Sequence, residues 1–579
     1  MIGSQLYGSV TCSQGDLKAV TPWIGVMNDS AFRWPTAPPS GSWTWKHDLS
    51  ADAALTAAAQ EESLRPVLPG EPVKTGFWTW RSLVRNGNVS TIHPPSFDIK
   101  ETAEAAQYRY RVVGGAEGKK MIELTFEAEK PWKPLTPIWK DMPPGNYQLT
   151  VTAIDAKGAA LPGPMRLGIL DKKSAEPTAQ EFPVISLIKR PAFSGPYATP
   201  PSSWTDLAIR PTRWYREAIG YGHTRGQDPG GAFFGGGEGG FGHFAQGALW
   251  GNLAARALTT DPAERRMSED ALKYYVEECE FHQQITRTKG VFHMYRGYTA
   301  LNHLTGRAVL DAWLQTGDPR WKEIALKLGR GLVTLQRENG AFNSSNTHHG
   351  ECPGGYFANW PKGNTEFGTS ELLYLFGRLR RDLKTDEFLE AERKAHQWME
   401  RAVRDRYFPV YDHHSMSQGY PVWQLAHSAL MYCRYLLECA PPDKRDVKFI
   451  EELALWAEDH DVNWRRDLTG PSDTITPNIG APDRTTFASK CTMLAAIVYH
   501  ELSLATGSRL WAAKSEALAT AVVQSIDPET GWLNVNFKSV VYAPYNRSFD
   551  LLYLYYYLLA KPETVQLLRE YAVIRNMKP

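Results

Sequence analysis

One turn recurs through the second half of the chain and constrains its fold more than any other feature. The turn is Leu-x-Thr, it ends one helical stretch and opens the next, and its threonines are Thr260, Thr316, Thr385 and Thr506. Degenerate turns at Cys439-Ala-Pro-Pro-Asp and Ala560-Lys-Pro-Glu extend the series to six helical hairpins, with a period of roughly 55–70 residues. Because an apolar helix cannot bury its face alone, the hairpins must pack side by side.

The hairpins predict an (α/α)6 toroid. One helix of each hairpin is rich in small residues and apolar nearly all round, as an inner ring requires. We expect these inner helices at 244–258, 298–314, 366–383, 418–437, 486–504 and 546–559. The outer helices, such as the one that begins at Pro319, are amphipathic. The threonine turns would lie on one rim and the long loops on the other. An open α-solenoid is the alternative.

Ahead of the hairpins, the sequence predicts a small β-domain. Alternating residues over 108–113, 121–128 and 145–155 predict three strands, and a Ser/Asp cap predicts a helix over 50–63. The stretch Pro-Pro-Gly-Asn-Tyr-Gln-Leu-Thr-Val-Thr-Ala-Ile-Asp resembles a late strand of a fibronectin-III or immunoglobulin-like sandwich. The fold class is therefore α+β multidomain. Its expected parts are an irregular N-terminal segment packing on the β-domain (1–95), a fibronectin-III-like β-sandwich (96–190), a Pro-rich linker (191–212) and the toroid (213–579).

Charge and composition exclude several classes of function. Lys and Arg (64) nearly balance Asp and Glu (63), so no basic field indicates a nucleic-acid partner. The sequence contains no apolar run of 18 residues, the length that would predict a membrane span. The six cysteines form no CxxC pair, which favours buried free thiols. Because the N-terminus lacks signal-peptide features, we expect either a secreted or periplasmic protein whose signal has been removed, or a cytoplasmic protein. The oligomeric state is left open.

Long loops precede the inner helices and carry most of the clustered His, Tyr, Arg and carboxylate side chains. In a closed toroid these loops converge on one cleft, which makes the cleft the expected active site. The candidate catalytic residues are His349, His413, Tyr545, Tyr295, Glu351 and Asp412. The candidate substrate-binding residues are Glu238, His243, His293, Arg296, His348, Tyr356, Trp360, Glu366, His414, Tyr420, Asp483, Arg484, Trp532 and Arg547.

Two of these loops invite other interpretations. The glycine-rich loop at 235–244 is not a P-loop, because no Gly-Lys-Ser/Thr follows it and no strand precedes it. Its glycines either form a tight turn or let the backbone approach a sugar chain. His348-His349-Gly-Glu351 has the residue types of a metal site, but adjacent loop residues rarely both ligate and no HExxH pattern is present. We therefore expect neither a metal nor a cofactor.

A β-sandwich, a linker and then a helical toroid resemble the layout of carbohydrate-active enzymes, namely toroid glycoside hydrolases and toroid polysaccharide lyases. The resemblance rests on architecture over roughly 213–575 and implies a polysaccharide or oligosaccharide substrate. Toroid lyases usually carry their β-domain after the toroid, and the Asp-Ala-Gly signature of one cellulase family is absent. The stretch Tyr545-Asn-Arg-Ser-Phe-Asp-Leu-Leu-Tyr-Leu, followed by Leu567-Leu-Arg-Glu-Tyr-Ala, resembles the C-terminal end of glucuronyl C5-epimerases.

Three chemistries fit such a cleft. In β-elimination from a uronate, a base removes the C5 proton and an acid protonates the leaving oxygen, roles that suit the abundant His and Tyr, with Arg neutralising the substrate carboxylate. Hydrolysis needs two carboxylates, for which the candidates are Glu238, Glu351, Glu366, Asp412 and Asp483. Epimerisation shares the first proton abstraction. The His, Tyr and Arg clusters favour the lyase slightly over the hydrolase, with the epimerase and a non-catalytic glycan-binding protein as further alternatives.

Overall fold

The computed structural model describes most of residues 88–193, together with 241–285, 290–292, 302–342, 365–404, 423–464 and 489–524. Shorter described pieces lie at 11–14, 17–20, 44–47, 52–65, 197–199, 209, 212 and 474–475. The sixth predicted inner helix, at 546–559, and most of the predicted Pro-rich linker lie outside the described residues.

The N-terminal pieces contain three short strands and one helix. The strands are β1 (Thr11–Gln14), β2 (Leu17–Val20) and β3 (Thr44–His47), and β1 pairs with β2 in an antiparallel hairpin. The helix α1 spans Ala53–Ser63, which confirms the helix predicted over 50–63. Asp52 is its N-cap, and the Asp52 side chain accepts a hydrogen bond from the Leu55 N–H at 3.0 Å.

Five strands form one mixed sheet ahead of the helical region. They are β4 (Asn88–Thr91), β5 (Ala105–Gly114), β6 (Lys120–Glu127), β7 (Gly145–Asp155) and β10 (Ile185–Lys189), in the spatial order β4-β10-β7-β5-β6. β4 runs parallel to β10, and the other neighbours are antiparallel. The predicted strands at 108–113, 121–128 and 145–155 are confirmed as β5, β6 and β7. β4 lies before the predicted domain boundary at 96 and belongs to the same sheet.

Alternation along β5 gives the sheet one buried face. Tyr108, Tyr110 and Val112 are buried, while Arg109 and Arg111 are exposed. The short helix α2 (Thr136–Trp139) covers this face, and Trp139 is fully buried. A two-stranded ribbon of β8 (Met165–Leu170) and β9 (Pro177–Phe182) contributes Met165 and Phe182 to the same core. The described β-domain is therefore a five-stranded sheet with a two-stranded ribbon packed against its core, while β11 (Tyr197–Thr199) pairs with β3.

The helical region consists of hairpins, each with an inner and an outer helix. The inner helices are α3 (Phe241–Leu258), α5 (Asn302–Thr316), α7 (Thr365–Leu383), α9 (Trp423–Glu438) and α11 (Ser489–Thr506). The outer helices are α4 (Pro262–Ile285), α6 (Pro319–Val333), α8 (Leu389–Arg404), α10 (Val447–Asp461) and α12 (Arg509–Gln524). A short antiparallel pair of β12 (Val462–Asn463) and β13 (Thr474–Ile475) follows α10. Five of the six predicted inner helices are therefore found, each within a few residues of its predicted bounds.

Burial distinguishes the two kinds of helix. Each inner helix packs against its own outer partner and against the next inner helix, from α3 through to α11. In α5 nearly every residue from Asn302 to Ala312 is buried, whereas α6 buries only one stripe that includes Trp321, Ile324 and Leu328. None of the described helices is both long enough and apolar enough to cross a bilayer.

Two of the recurrent threonines, Thr316 and Thr506, end their inner helices by the same pair of contacts. The Thr316 hydroxyl donates to the Ala312 carbonyl at 2.6 Å and accepts the Asp318 N–H at 3.2 Å. Thr506 repeats both contacts with Leu502 and Ser508. Gly317, next in the turn, has a positive φ of 69°, which a residue with a side chain adopts at a cost. In the first hairpin it is Thr259, not the predicted Thr260, that accepts the N–H two residues on.

Replacing Thr316 with valine should lower the free energy of unfolding by about 1 kcal/mol, because the turn loses a donor and an acceptor at once. Urea denaturation of both proteins measures the difference. The matched control is Thr125→Val at an exposed position of β6, where we expect almost no change. Equal effects at the two positions would show that the turn contacts contribute nothing.

Candidate functional site

Two of the sequence-predicted site residues lie in described helices. His243 is in the first turn of α3 and Glu366 is in the first turn of α7, and their backbones are placed while their side chains are not. The other predicted site residues lie outside the described residues. They are Glu238, His293, Tyr295, Arg296, His348, His349, Glu351, Tyr356, Trp360, Asp412, His413, His414, Tyr420, Asp483, Arg484, Trp532, Tyr545 and Arg547. Their roles stay predictions.

The chain enters each inner helix at the end opposite the threonine turns, which we call the loop-bearing end. There, two segments begin from the same kind of anchor. The Phe292 N–H donates to Asn302 Oδ1 at 2.8 Å, and the Phe342 N–H donates to Thr369 Oγ1 at 2.9 Å. Both phenylalanines are fully buried. The bases of the segments 293–301 and 343–364 are thus tied to the inner helices α5 and α7 that follow them.

A glutamine and a glycine complete each anchor. Gln283 Nε2 donates to the Gly290 carbonyl at 2.6 Å and to the Ile324 carbonyl of the next outer helix at 2.9 Å. Gln336 does the same with the Gly340 and Ala391 carbonyls, at 3.0 Å and 2.9 Å. The repeated geometry shows that Gly-Val-Phe at 290–292 and Gly-Ala-Phe at 340–342 are equivalent positions of the repeat.

Below the loop-bearing end, ionisable side chains meet between the inner helices α5, α7 and α9. The group nearest that end consists of His303, Arg307, Glu371 and His427, which we call the histidine–glutamate layer. His303 Nε2 lies 2.8 Å from Glu371 Oε2, and Arg307 Nη2 donates to the same oxygen at 3.2 Å. His427 Nε2 bonds the other oxygen, Glu371 Oε1. One carboxylate therefore joins three helices.

Glu371 is ionised in this layer. Burial alone would raise its pKa, but His303, His427 and Arg307 outweigh burial and hold the pKa of Glu371 well below 4.5. Because a carboxylate only accepts hydrogen bonds, His427 presents an Nε2–H to Glu371, while His303 Nε2 lies within ion-pair distance of the other carboxylate oxygen. The exposed fractions of the His303 and Glu371 side chains are 0%, so the layer lies in the interior of the protein.

Two further layers continue from the histidine–glutamate layer toward the threonine turns. In the first, the Tyr374 ring lies between the guanidinium groups of Arg307 and Arg434, at 5.2 Å and 4.7 Å from its centroid. The Tyr374 hydroxyl donates to Glu438 Oε2 at 2.6 Å. In the second, Arg378 Nη2 donates to Asp311 Oδ1 at 2.8 Å. Charged groups thus recur between α5, α7 and α9 from the histidine–glutamate layer toward the threonine turns.

The sequence carried a signal for these residues that loop-based reasoning missed. His303, Arg307 and Asp311 recur every four residues in a helix that has no solvated face. Glu371, Tyr374 and Arg378 repeat the pattern in α7. Charges at helical spacing inside an otherwise apolar helix must be paired across helices, because an unpaired buried charge is costly.

One other cluster has the residue types of a metal site. The potential ligand atoms of Glu62, His93 and Glu458 all lie within 4.8 Å of one another. Lys514 already supplies a cation there, since its Nζ lies 3.0 Å and 2.8 Å from the two Glu458 oxygens and bonds Glu62. In this structure the lysine ammonium holds the position that a metal ion would need.

Comparison with protein-family models and with curated proteins gives no match. Among solved structures, a family 76 glycoside hydrolase from a bovine Bacteroides thetaiotaomicron strain is 11% identical, with a TM-score of 0.44 over 81% of this chain and 98% of that one. An α-1,6-mannanase from Salegentibacter sp. is 12% identical, with a TM-score of 0.38 over 62% and 100%. An unsaturated glucuronyl hydrolase specific for heparin is 11% identical, with a TM-score of 0.40 over 61% and 96%. All three are carbohydrate-active enzymes, the class that the sequence resembles.

Proposed function

We propose that this chain is a carbohydrate-active enzyme that cleaves a uronate-containing polysaccharide by β-elimination at the loop-bearing end. The five described hairpins are, in this proposal, five of the six that close an (α/α)6 toroid. The observation that carries the proposal is the histidine–glutamate layer, in which one ionised carboxylate holds two imidazoles and a guanidinium across three inner helices.

The free-energy cost of burying the charged groups of that layer supports a functional site next to it, at the loop-bearing end. Burying a carboxylate and its cationic partners contributes little net stability, so apolar residues of similar volume would serve the packing at least as well. Perturbed, precisely partnered ionisable groups are concentrated at functional sites. The layer fixes the start of α5, α7 and α9 relative to one another, and the segments with all the candidate catalytic residues except Tyr545 lead into these three helices.

The proposed reaction assigns roles to the sequence-predicted groups. A base drawn from Tyr295, His349, His413 and Tyr545 removes the C5 proton of the uronate, and a second group of this set protonates the leaving oxygen. Arg296 or Arg547 neutralises the substrate carboxylate, which stabilises the enolate that forms. The layer acts indirectly, because its side chains are buried and position the helices that carry the reacting groups.

A glycoside hydrolase is the second candidate, favoured by the observed order of a β-domain followed by helical hairpins. Its reaction would use two carboxylates, with Glu351 and Asp412 as the candidates. Their side chains would have to lie roughly 6.5–9.5 Å apart for inversion, or closer for retention of configuration.

An assay on uronate polysaccharides separates these two functions. The purified chain is incubated with each substrate, and the absorbance of the unsaturated product is followed alongside the release of reducing ends. We expect both signals to rise together. New reducing ends without the double bond would overturn the elimination and support hydrolysis.

Single substitutions then test the assigned roles. His349→Ala, His413→Ala and Tyr545→Phe should each reduce turnover by about a hundredfold or more, the usual contribution of an acid–base group. Glu351→Ala and Asp412→Ala are the matched comparison, because they should be the damaging changes only if the reaction is hydrolysis. Wild-type turnover in all three His and Tyr variants, with the fold intact, would contradict the assignment.

A further inference from the structure

The sheet meets the helical region at one cluster of charged groups. We call it the sheet–helix cluster, and its members are Glu62, His93, Arg190, Glu458, Asp459 and Lys514. They come from five elements: α1, the ends of β4 and β10, the C-terminal turn of α10, and α12. His93, Arg190, Glu458, Asp459 and Lys514 are all buried. The cluster uses no residue of the proposed active site.

Asp459 joins α10 to the end of β4. Its Oδ1 accepts the N–H groups of Ile92 and His93, at 2.7 Å and 2.9 Å. His93 Nδ1 lies 3.1 Å from the same oxygen. In return, Arg190 donates to the carbonyl of Asp459 in the last turn of α10 and to the carbonyl of Val462, the residue that follows the helix. Asp459 of α10 thus accepts backbone N–H groups just after β4, and Arg190, just after β10, donates to a backbone carbonyl of α10.

Lys514 joins the other half of the cluster. Its ammonium lies between Glu458 and Glu62, which brings α1 onto α10 and α12. The Glu458 oxygens also accept from Trp464 Nε1 at 2.9 Å and from the Tyr499 hydroxyl at 3.4 Å. Both Glu458 oxygens are thus hydrogen-bonded, and its charge is balanced by the lysine.

The charges of the cluster balance with one more proton. Three carboxyl groups, Glu62, Glu458 and Asp459, face two permanent cations, Lys514 and Arg190; burial raises the pKa of Glu62 although Lys514 opposes it, while His93 and Arg190 hold the pKa of Asp459 below its ordinary value. An uncompensated charge in a buried site is costly. His93 lies against Asp459 and close to both glutamates, so a proton on its imidazole would make the cluster neutral.

We propose that the sheet–helix cluster is a proton-dependent latch, which holds the sheet on the helical region while His93 is protonated and loosens when His93 loses its proton. The observations that support it are the convergence of five elements on one buried charge cluster and the placement of the imidazole against three carboxylates.

The direction of the pH dependence follows from the groups around His93. Burial disfavours the charged imidazole, but Asp459, Glu458 and Glu62 outweigh burial and raise the pKa of His93 above 6.5. A group whose pKa is raised by folding stabilises the folded state fully below its unfolded pKa. The latch is therefore fully closed below pH 6.5 and is lost as the pH rises through the raised pKa of His93.

Hydrogen–deuterium exchange of the full chain tests the latch. Protection of residues 88–93 and 459–464 is compared at about pH 6 and about pH 9 after correction for intrinsic exchange, with α7 of the same chain as the internal reference. We expect protection of these two segments to fall at the higher pH, because the contribution of the protonated imidazole is lost as the pH rises through the raised pKa of His93. In His93→Gln the two pH values should give equal protection.

The control substitution replaces a histidine that is not part of the sheet–helix cluster. His396→Gln, on α8 beside the Tyr432 and Tyr435 rings, should leave the pH dependence intact. Persistence of the pH dependence in His93→Gln would overturn the proposal. If His93→Gln does not fold, the nuclear magnetic resonance titration of His93 in the wild-type chain decides. Its midpoint must lie above 6.5 and coincide with the loss of protection, and any other midpoint contradicts the latch.

Discussion

Replacing Glu371 with alanine should lower the free energy of unfolding by about 3–5 kcal/mol and abolish activity in the assay proposed above. The change removes a buried carboxylate that contacts His303, His427 and Arg307, and it takes a negative charge away from their buried cationic and donor groups. Urea denaturation measures the stability, and turnover of the remaining folded protein measures the function. Few other single substitutions in the described helices would break contacts between three of them at once.

Two further variants separate the causes of that loss. Glu371→Gln keeps the volume and one acceptor but not the charge, so it should be less destabilising than alanine while still impairing turnover. Glu390→Ala removes a solvent-exposed carboxylate paired with Arg393 on α8 and should leave both properties nearly unchanged. Wild-type stability in Glu371→Ala would show that the layer contributes nothing to the free energy of unfolding.

The pH dependence of the Glu371 contribution has a definite sign. Folding depresses the pKa of Glu371 well below 4.5, so its contribution to stability is fully present above that value. It is lost as the pH falls through the depressed pKa. The stability difference between the wild-type chain and Glu371→Gln should therefore shrink at acid pH, and a difference that grows there would contradict the assignment of an ionised carboxylate.

Replacing Gly340 with alanine should cost about 2–4 kcal/mol of stability, because two penalties add. Gly340 has a φ of 92°, which a residue with a Cβ adopts only under strain. An added Cβ would also lie 2.3 Å from the Lys394 carbonyl oxygen of α8, so the outer helix would have to move. Because Gly340 anchors the base of 343–364, turnover should fall as well.

Gly158 provides the control for Gly340→Ala. Its φ of 84° imposes a similar backbone strain, but nothing lies within 4 Å of the position that a Cβ would take. Gly158→Ala should therefore cost only about 1 kcal/mol and leave turnover unchanged. Equal losses in the two variants would show that the close contact with α8 contributes nothing beyond backbone strain.

The helices were predictable because their signals are local. Apolar periodicity placed the inner helices within a few residues of α3, α5, α7, α9 and α11, and the cap at Asp52 placed α1. The threonine turns were predictable for the same reason, although the choice between Thr259 and Thr260 depends on a single hydrogen bond that sequence spacing does not reveal.

The contacts of the site were not predictable, because each joins residues far apart in the chain. Glu371 meets His303 and His427 across 68 and 56 residues, and no pattern within one helix specifies which partner lies opposite. β4 was missed because it has only four residues and its partner β10 follows nearly a hundred residues later. All the predicted site residues except His243 and Glu366 lie outside the described residues, so the arrangement of the predicted site stays a prediction.

The paired anchors indicate which part of the chain can change in sequence while the helices keep their packing. Gln336, Gly340 and Phe342 fix the point where 343–364 leaves the scaffold, and Thr369 fixes the point of return. We expect the segment 343–364, which precedes α7, to tolerate changes in length and composition better than the helices do. The anchors therefore allow one loop segment to be replaced by another while the helices stay in place. We expect that transplanting a segment between equivalent anchors would change the specificity.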